Sequence, residues 1–263
     1  MEHVFQRIRH DLKLRIASVV TSERITPRMA RITLHSPEFA DFTSDAYDDH
    51  VKLFFPPEGS ELALPVAGPN GLTFPDGERP IGRDYTPRSF DRERCEVVID
   101  FVLHGDGPAA SWALEAKAGD RIGVGGPRSS FVLTRAFDWY LLIGDESALP
   151  AIGRRIEELP EGAKAVAIIE VADSGERQAF ATPADLDLHW VERDQTHAPG
   201  VIETLRATAL PDGTGYAFIA GEASLSAALR RLLLEELGFD QARVKSAGYW
   251  RLGEADFHDG HQH

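Results

Sequence analysis

Trp139-Tyr140-Leu141-Leu142-Ile143-Gly144-Asp145-Glu146-Ser147-Ala148-Leu149-Pro150 reads as a buried strand, a short loop and the opening of a helix. Five apolar residues in a row are strand length, and a strand covered on both faces shows no alternation. The helix runs over Leu149–Leu159, with Leu149, Ile152, Ile156 and Leu159 at helical spacing. A second apolar strand follows at Ala163–Val171, then strands at Leu188–Val191 and Gly215–Ala220 and an amphipathic helix at Ser224–Leu237. Strands alternating with helices predict a parallel sheet.

Toward the N-terminus the texture changes. Leu14–Val20 and Met29–His35 carry β-branched residues, and His50–Phe55 is an apolar run stopped by Pro56-Pro57. Gly59–Gly82, dense in Pro and Gly, reads as a long loop or ragged hairpin. Glu96–His104 is a strand broken by Asp106-Gly107-Pro108; Ala109–Ala118 reads as a short helix and Arg121–Val124 as another strand. Many short strands with one helix predict a small antiparallel barrel. The fold class is therefore β followed by α/β, with domains 1–137 and 138–263.

Composition narrows the function classes. The 263 residues suit two domains. The net charge of −14, from 28 basic and 42 acidic residues, disfavours non-specific nucleic-acid binding. An anionic ligand has to be drawn by a local basic patch. A single cysteine, Cys95, excludes an internal disulfide and fits a reducing compartment; it reads as a small packing residue at a strand start. Met1–Arg15 is charged and lacks an apolar core, so no signal peptide is expected, and no run is long enough to span a membrane. His258, His261 and His263 read as part of a solvated tail, with no metal site expected.

Five segments can carry chemistry. Arg83-Asp84-Tyr85-Thr86-Pro87-Arg88 offers a planar aromatic for a flavin ring, a hydroxyl beside it, and a guanidinium that can fork onto a diphosphate. Those six residues alone are equally an exposed turn with a surface arginine. Asp100–His104 followed by Gly107–Trp112 ends a strand and opens a helix whose free N–H groups can hold a phosphate; the plain reading makes Ser111 a cap. Gly144–Ser147 sits where open parallel sheets bind ligands, although its acidic pair argues against diphosphate contact by side chains, and Asp/Glu at a helix start also complement the dipole. Ala220-Gly221-Glu222-Ala223-Ser224 suits the far wall of a nicotinamide pocket or a helix cap. Lys245–Gly253 sets Tyr249 and Trp250 beside cations, as a wall over a flavin or as a last strand with Arg251 at the surface.

Together these segments resemble the siderophore-interacting protein family of FAD-binding ferric-siderophore reductases, within the ferredoxin-reductase-like superfamily. His50-Val51-Lys52-Leu53, Arg83–Arg88, Asp100–His104 with Gly107–Trp112, Gly144–Pro150, Gly221-Glu222 and Gly248–Gly253 carry the resemblance, in order along nearly the whole chain. The resemblance implies an N-terminal FAD-binding barrel and a C-terminal NAD(P)H-binding α/β domain. It implies that Arg83, Tyr85, Thr86 and Arg88 contact FAD, with Tyr85 on the isoalloxazine and Arg88 on the diphosphate. Asp100, Val102 and His104 continue that site, and Ala109, Ala110 and Ser111 meet the diphosphate or adenine end. Relatives often carry Ser or Thr where Ala110 stands. Gly144, Asp145, Glu146, Ser147, Gly221 and Glu222 border the nicotinamide nucleotide. Lys52, Lys245, Trp250 and Arg251 face a ferric siderophore.

The implied reaction passes hydride from NADPH or NADH, or electrons from a ferredoxin as the alternative donor, to FAD, and then single electrons to Fe(III). The Fe(II) product is held weakly by oxygen ligands that suit the harder ferric ion. A cytoplasmic monomer without catalytic acid or base is expected. Two other readings stand beside it: an FAD oxidoreductase with free flavin, quinone or an iron–sulfur partner as acceptor, and a siderophore-binding protein without turnover.

Overall fold

The computed structural model describes residues 4–56, 62, 64–68, 71–73, 80–105, 107–193 and 200–254. His258, His261, His263, Asp106 and part of the Gly59–Gly82 loop lie outside them. The chain divides into two compact units, one of Phe5–Val132 and one running from Leu133 onward, joined by Val4.

The first unit runs β1 (Phe5–Arg9), β2 (Leu14–Thr26), β3 (Met29–His35), β4 (Val51–Phe55), a hairpin of β5 (Val66–Gly68) and β6 (Gly71–Thr73), β7 (Ile81–Tyr85), β8 (Pro87–Asp91), β9 (Glu96–Val102), α1 (Pro108–Glu115), β10 (Arg121–Gly125) and β11 (Ser129–Leu133). Seven strands form one sheet in the order β7-β4-β10-β2-β3-β9-β8, while β1 pairs with β11. The ladders β7–β4, β4–β10, β10–β2, β2–β3, β3–β9 and β9–β8 are antiparallel. The two edges of this sheet, β7 and β8, are joined by Thr86 alone. Laid flat, six strand spacings would separate those edges by about 29 Å. Two residues of chain span at most about 7 Å. The sheet therefore curls until its edges meet, and Arg83–Arg88 is the seam of the barrel.

Alternation sets what lies inside. Along β9, Val97, Ile99 and Phe101 join the core with Ile32, Leu34, Leu53, Phe55, Ile122 and Val124, each near-completely buried. Each such side chain contributes roughly 1.5–3 kcal/mol of burial free energy.

The second unit contains β12 (Trp139–Gly144), α2 (Leu149–Glu158), β13 (Lys164–Val171), β14 (Asp185–Glu192), α3 (Val201–Ala207), β15 (Gly215–Glu222), α4 (Ala223–Glu235) and β16 (Val244–Trp250). Its sheet is parallel throughout, in the order β14-β13-β12-β15-β16. The chain winds outward from β12 to β14, then returns to the other side of β12, so the order reverses between β12 and β15. Loops leaving a sheet at such a reversal form the ligand-binding edge. Every residue of β12 is buried, and α2 packs against it, α3 against β13 and β14, and α4 against β15 and β16.

The expected β-then-α/β order is observed. Some elements differ in extent. The α1 helix ends at Glu115 rather than Ala118, because Lys117 and Asp120 close a turn there: the Lys117 N–H donates to Asp120 Oδ2 at 2.9 Å. The edge strand β14 is twice the expected length; its alternating exposed and half-buried residues hide it from a search for apolar runs. Cys95 does not begin β9 but closes the turn before it, at φ +55°, with its side chain against the barrel core. No helix among the described residues is long and apolar enough to cross a membrane.

Candidate functional site

The seam positions the first group of side chains. Tyr85 ends β7 with its ring 4.5 Å from that of Phe101, which lies 5.7 Å from Trp112 on α1. Burial pushes the Tyr85 hydroxyl pKa well up, with Arg83 pulling weakly the other way, so the ring stays neutral. Arg83 is half-buried and donates to the Gly82 carbonyl at 2.9 Å. Thr86 and Arg88 are buried, at 7% and 8% exposure. The β8–β9 register shifts between Pro87 and Ser89, so Arg88 sits on a bulge, a device that re-aims one side chain.

Arg88 is aimed at Asp100, with its Nε 3.9 Å from Oδ2. Asp100 is 3% exposed, and both its oxygens accept from Arg31 on β3, at 2.7 Å from Nε and 2.8 Å from Nη2. The Asp100 carboxylate, expected to continue the flavin site, lies between two guanidiniums. Val102 ends β9 half-buried, paired with Met29, and His104 is exposed just beyond. Arg31 is a residue that sequence reading missed. Its signal is a cross-strand partner, and pairing register is not written in either strand alone.

The first turn of α1 follows. Its N-cap is Gly107, with Pro108 at N1 and no side-chain cap, so Ser111 is not the cap; it is exposed further along the helix, its N–H donating to the Gly107 carbonyl at 2.9 Å. Ala109 and Ala110 are buried there. A helix start with small residues and no capping side chain suits a phosphate. With Arg88 and an aromatic face at the seam, the donor set fits a flavin dinucleotide.

At the reversal of the parallel sheet, the motif residues turn inward. Asp145 is 3% exposed and accepts four hydrogen bonds: from Ser147 N at 2.9 Å, Ser147 Oγ at 2.5 Å, Glu222 N at 3.0 Å and Trp250 Nε1 at 2.8 Å. Burial pushes its carboxyl pKa up, against the pull of the Ser147 and Trp250 hydrogen bonds. Glu146 is also buried; it accepts from Ala172 N at 2.7 Å and pairs with Arg193. Glu222 caps α4 through Leu225 N at 2.8 Å. Gly144 has no room for a side chain, since a Cβ would stand 2.6 Å from both Ala148 Cβ and the Ala220 carbonyl. Gly221 adopts φ +141°, and a Cβ there would meet Asp145 Oδ2 at 2.5 Å. These six residues knit the edge together, with the Asp145 and Glu146 carboxylates buried and Glu222 half-buried.

Of the expected basic group, Lys52 belongs to the first unit and Lys245 and Arg251 to the second. Lys52 pairs with Asp84 opposite it across β4–β7, at 2.7 Å. Arg251 is exposed and bonds Glu254 at 3.1 Å. Lys245 lies early on β16, opposite Phe218, about 16 Å of strand from Trp250 at the other end.

Both units match known families. A model described as the siderophore-interacting FAD-binding domain matches residues 18–131, and one described as siderophore-interacting protein matches 137–253. The chain is 35% identical over 248 residues to the NADPH-dependent ferric-chelate reductase of Escherichia coli K12, covering 93% of this chain and 96% of that one. It is 31% identical to the ferric vibriobactin reductase ViuB of Vibrio cholerae, covering 91% and 90%. A solved siderophore utilization protein from T. fusca superposes with a TM-score of 0.88 at 39% identity, over 97% of this chain and 98% of that one.

Proposed function

The chain belongs to the siderophore-interacting protein family, and from that premise we propose that it is an FAD-dependent reductase that takes electrons from NADPH and delivers them to ferric iron held by a siderophore. The observation that carries this reading is the barrel seam, where an aromatic ring, a bulge-aimed arginine and an uncapped helix start stand in one unit.

Arg88 and the first turn of α1, at Ala109 and Ala110, hold the diphosphate by charge-assisted and backbone hydrogen bonds. Tyr85 offers its neutral ring to the isoalloxazine, with Arg83 and Thr86 beside it. When bound, FAD splits a two-electron donation into the one-electron steps that ferric iron accepts. The edge at Gly144–Ser147 and Gly221-Glu222 borders the nicotinamide nucleotide largely through backbone, because Asp145 and Glu146 are buried. Trp250 and Arg251 of the second unit offer the ferric chelate a ring and a cation, and such cations steer an anionic complex against the −14 net charge. Lys245 belongs to this group only if the chelate reaches down the strand. No side chain has to move a proton at the iron. One cysteine and the absence of a long apolar helix among the described residues support a cytoplasmic setting, and a monomer suffices for this chemistry.

The test is an anaerobic screen. NADPH should bleach the flavin absorbance of the purified protein, and a ferric siderophore should restore it with release of Fe(II). NADH and reduced ferredoxin, compared with NADPH, fix the donor; free flavin and quinone as acceptors fix the specificity. Flavin that no ferric chelate reoxidises sinks the acceptor assignment, and a colourless protein that takes up no FAD sinks the whole reading.

A further inference from the structure

The four donors on Asp145 are divided between its two oxygens. Oδ1 takes both groups of Ser147, in the same loop. Oδ2 takes the Glu222 N–H at the end of β15 and the Trp250 indole N–H at the end of β16. Glu222 and Trp250 are ladder partners just past a register shift, a device that re-aims a side chain. Trp250 is 38% exposed, and an exposed side chain ordinarily keeps its rotamer freedom. Here the one polar atom of the ring is spent on a buried carboxylate, so the ring is fixed at its edge and offers its face. Beyond it the chain turns tightly. The Glu254 N–H donates to the Arg251 carbonyl at 3.1 Å, and Gly253 supplies φ +81° at the third position of the turn. Leu252 at the tip is 80% exposed, while its N–H points back to Glu222 Oε1 at 3.5 Å. Trp250–Glu254 is thus clamped at its base and carries a ring, a guanidinium and an apolar tip on one frame. Asp145, at 3% exposure, is too deep to meet a chelate itself.

We propose that Asp145 is a positioning residue for the acceptor step: it fixes Trp250, and through Trp250 the Arg251–Glu254 turn, in the posture that meets the ferric chelate. This rests on the reading of Trp250 and Arg251 as chelate-facing. A ring ordered before the encounter has no freedom left to lose when the chelate docks, so the benefit falls on chelate affinity. The first acid of the Gly144–Ser147 loop then serves the electron acceptor, although its loop borders the donor.

The experiment follows the holoenzyme anaerobically in two half-reactions, flavin reduction by NADPH and reoxidation by ferric dicitrate, an anionic oxygen-ligand chelate, with kcat and KM for each substrate. Trp250→Phe keeps a ring and loses the N–H; it should raise the chelate KM about fivefold, with a clearly smaller change in the NADPH KM. Asp145→Asn offers the same four donors one acceptor oxygen and no charge, and should raise the chelate KM about threefold. In the Trp250→Phe background Asp145→Asn should add nothing to the chelate KM, because no indole N–H remains to be received. If Asp145→Asn does not fold, the split between the two KM values in Trp250→Phe decides. Equal losses for both substrates overturn the proposal and mark Asp145 as structural alone. Full additivity of the two substitutions overturns it too, as does a parental chelate KM in Trp250→Phe. If ferric dicitrate does not reoxidise the reduced parent, the acceptor reading has failed and the proposal with it; if the parent turns over and the variants match it, only the positioning has.

Discussion

The barrel seam and the reversal edge of the parallel sheet are both short, motif-like and rich in charge, yet they use charge in opposite directions. At the seam a buried carboxylate, Asp100, holds the Arg31 fork and lies 3.9 Å from Arg88. At the edge a buried carboxylate, Asp145, collects backbone and side-chain donors from Ser147 and from the ends of β15 and β16 and is itself turned inward. On the proposed reading the seam holds an anion, while the edge holds its own backbone still. A recurrent motif therefore does not by itself say whether its residues touch the ligand or the fold.

That contrast can be broken at four points. Asp145→Ala strips an acceptor from four donors and should lower the unfolding free energy by about 4 kcal/mol in urea denaturation. A loss under about 1 kcal/mol would mean that the edge is not held by this carboxylate. Gly221→Ala forces a Cβ into Asp145 at a φ of +141°, and about 3 kcal/mol of stability should go, read by the same titration. Arg88→Ala should act mainly on affinity: removing a charge-assisted contact costs about 2 kcal/mol, or roughly thirtyfold in FAD Kd. Retention of parental affinity would show that the seam does not anchor the diphosphate. Ser111→Ala removes an exposed hydroxyl that caps nothing, and unfolding should shift by less than about 0.5 kcal/mol.

Much of the fold was legible because burial writes itself into periodicity. The apolar run of β12, the alternation of β9 and the helical spacing of α2 appear as read. What the sequence concealed is geometry at a distance. The β1–β11 pairing joins segments more than a hundred residues apart and carries mostly half-exposed residues. The α3 helix has only Val201 and Leu205 buried, too few to show a stripe. At the site, residue types at Arg83–Arg88 disclosed their chemistry, but Asp145, Glu146 and Glu222 did not. The direction in which a carboxylate points depends on which donors the other loops bring to it. Arg31 was silent for the same reason, its meaning being supplied by β9.

The seam has one more consequence. A barrel whose first and last edges are joined by Thr86, without a ladder between them, resembles a bracelet whose two ends meet at a single link. Tyr85 and Arg88 lie on either side of that link, so a molecule gripped by both is a clasp. By mass action, a ligand present at a hundred times its Kd adds about 2.7 kcal/mol to the folded state. Flavin supply would then govern the lifetime of the polypeptide as well as its colour, with the unclasped protein being the form that proteases find first.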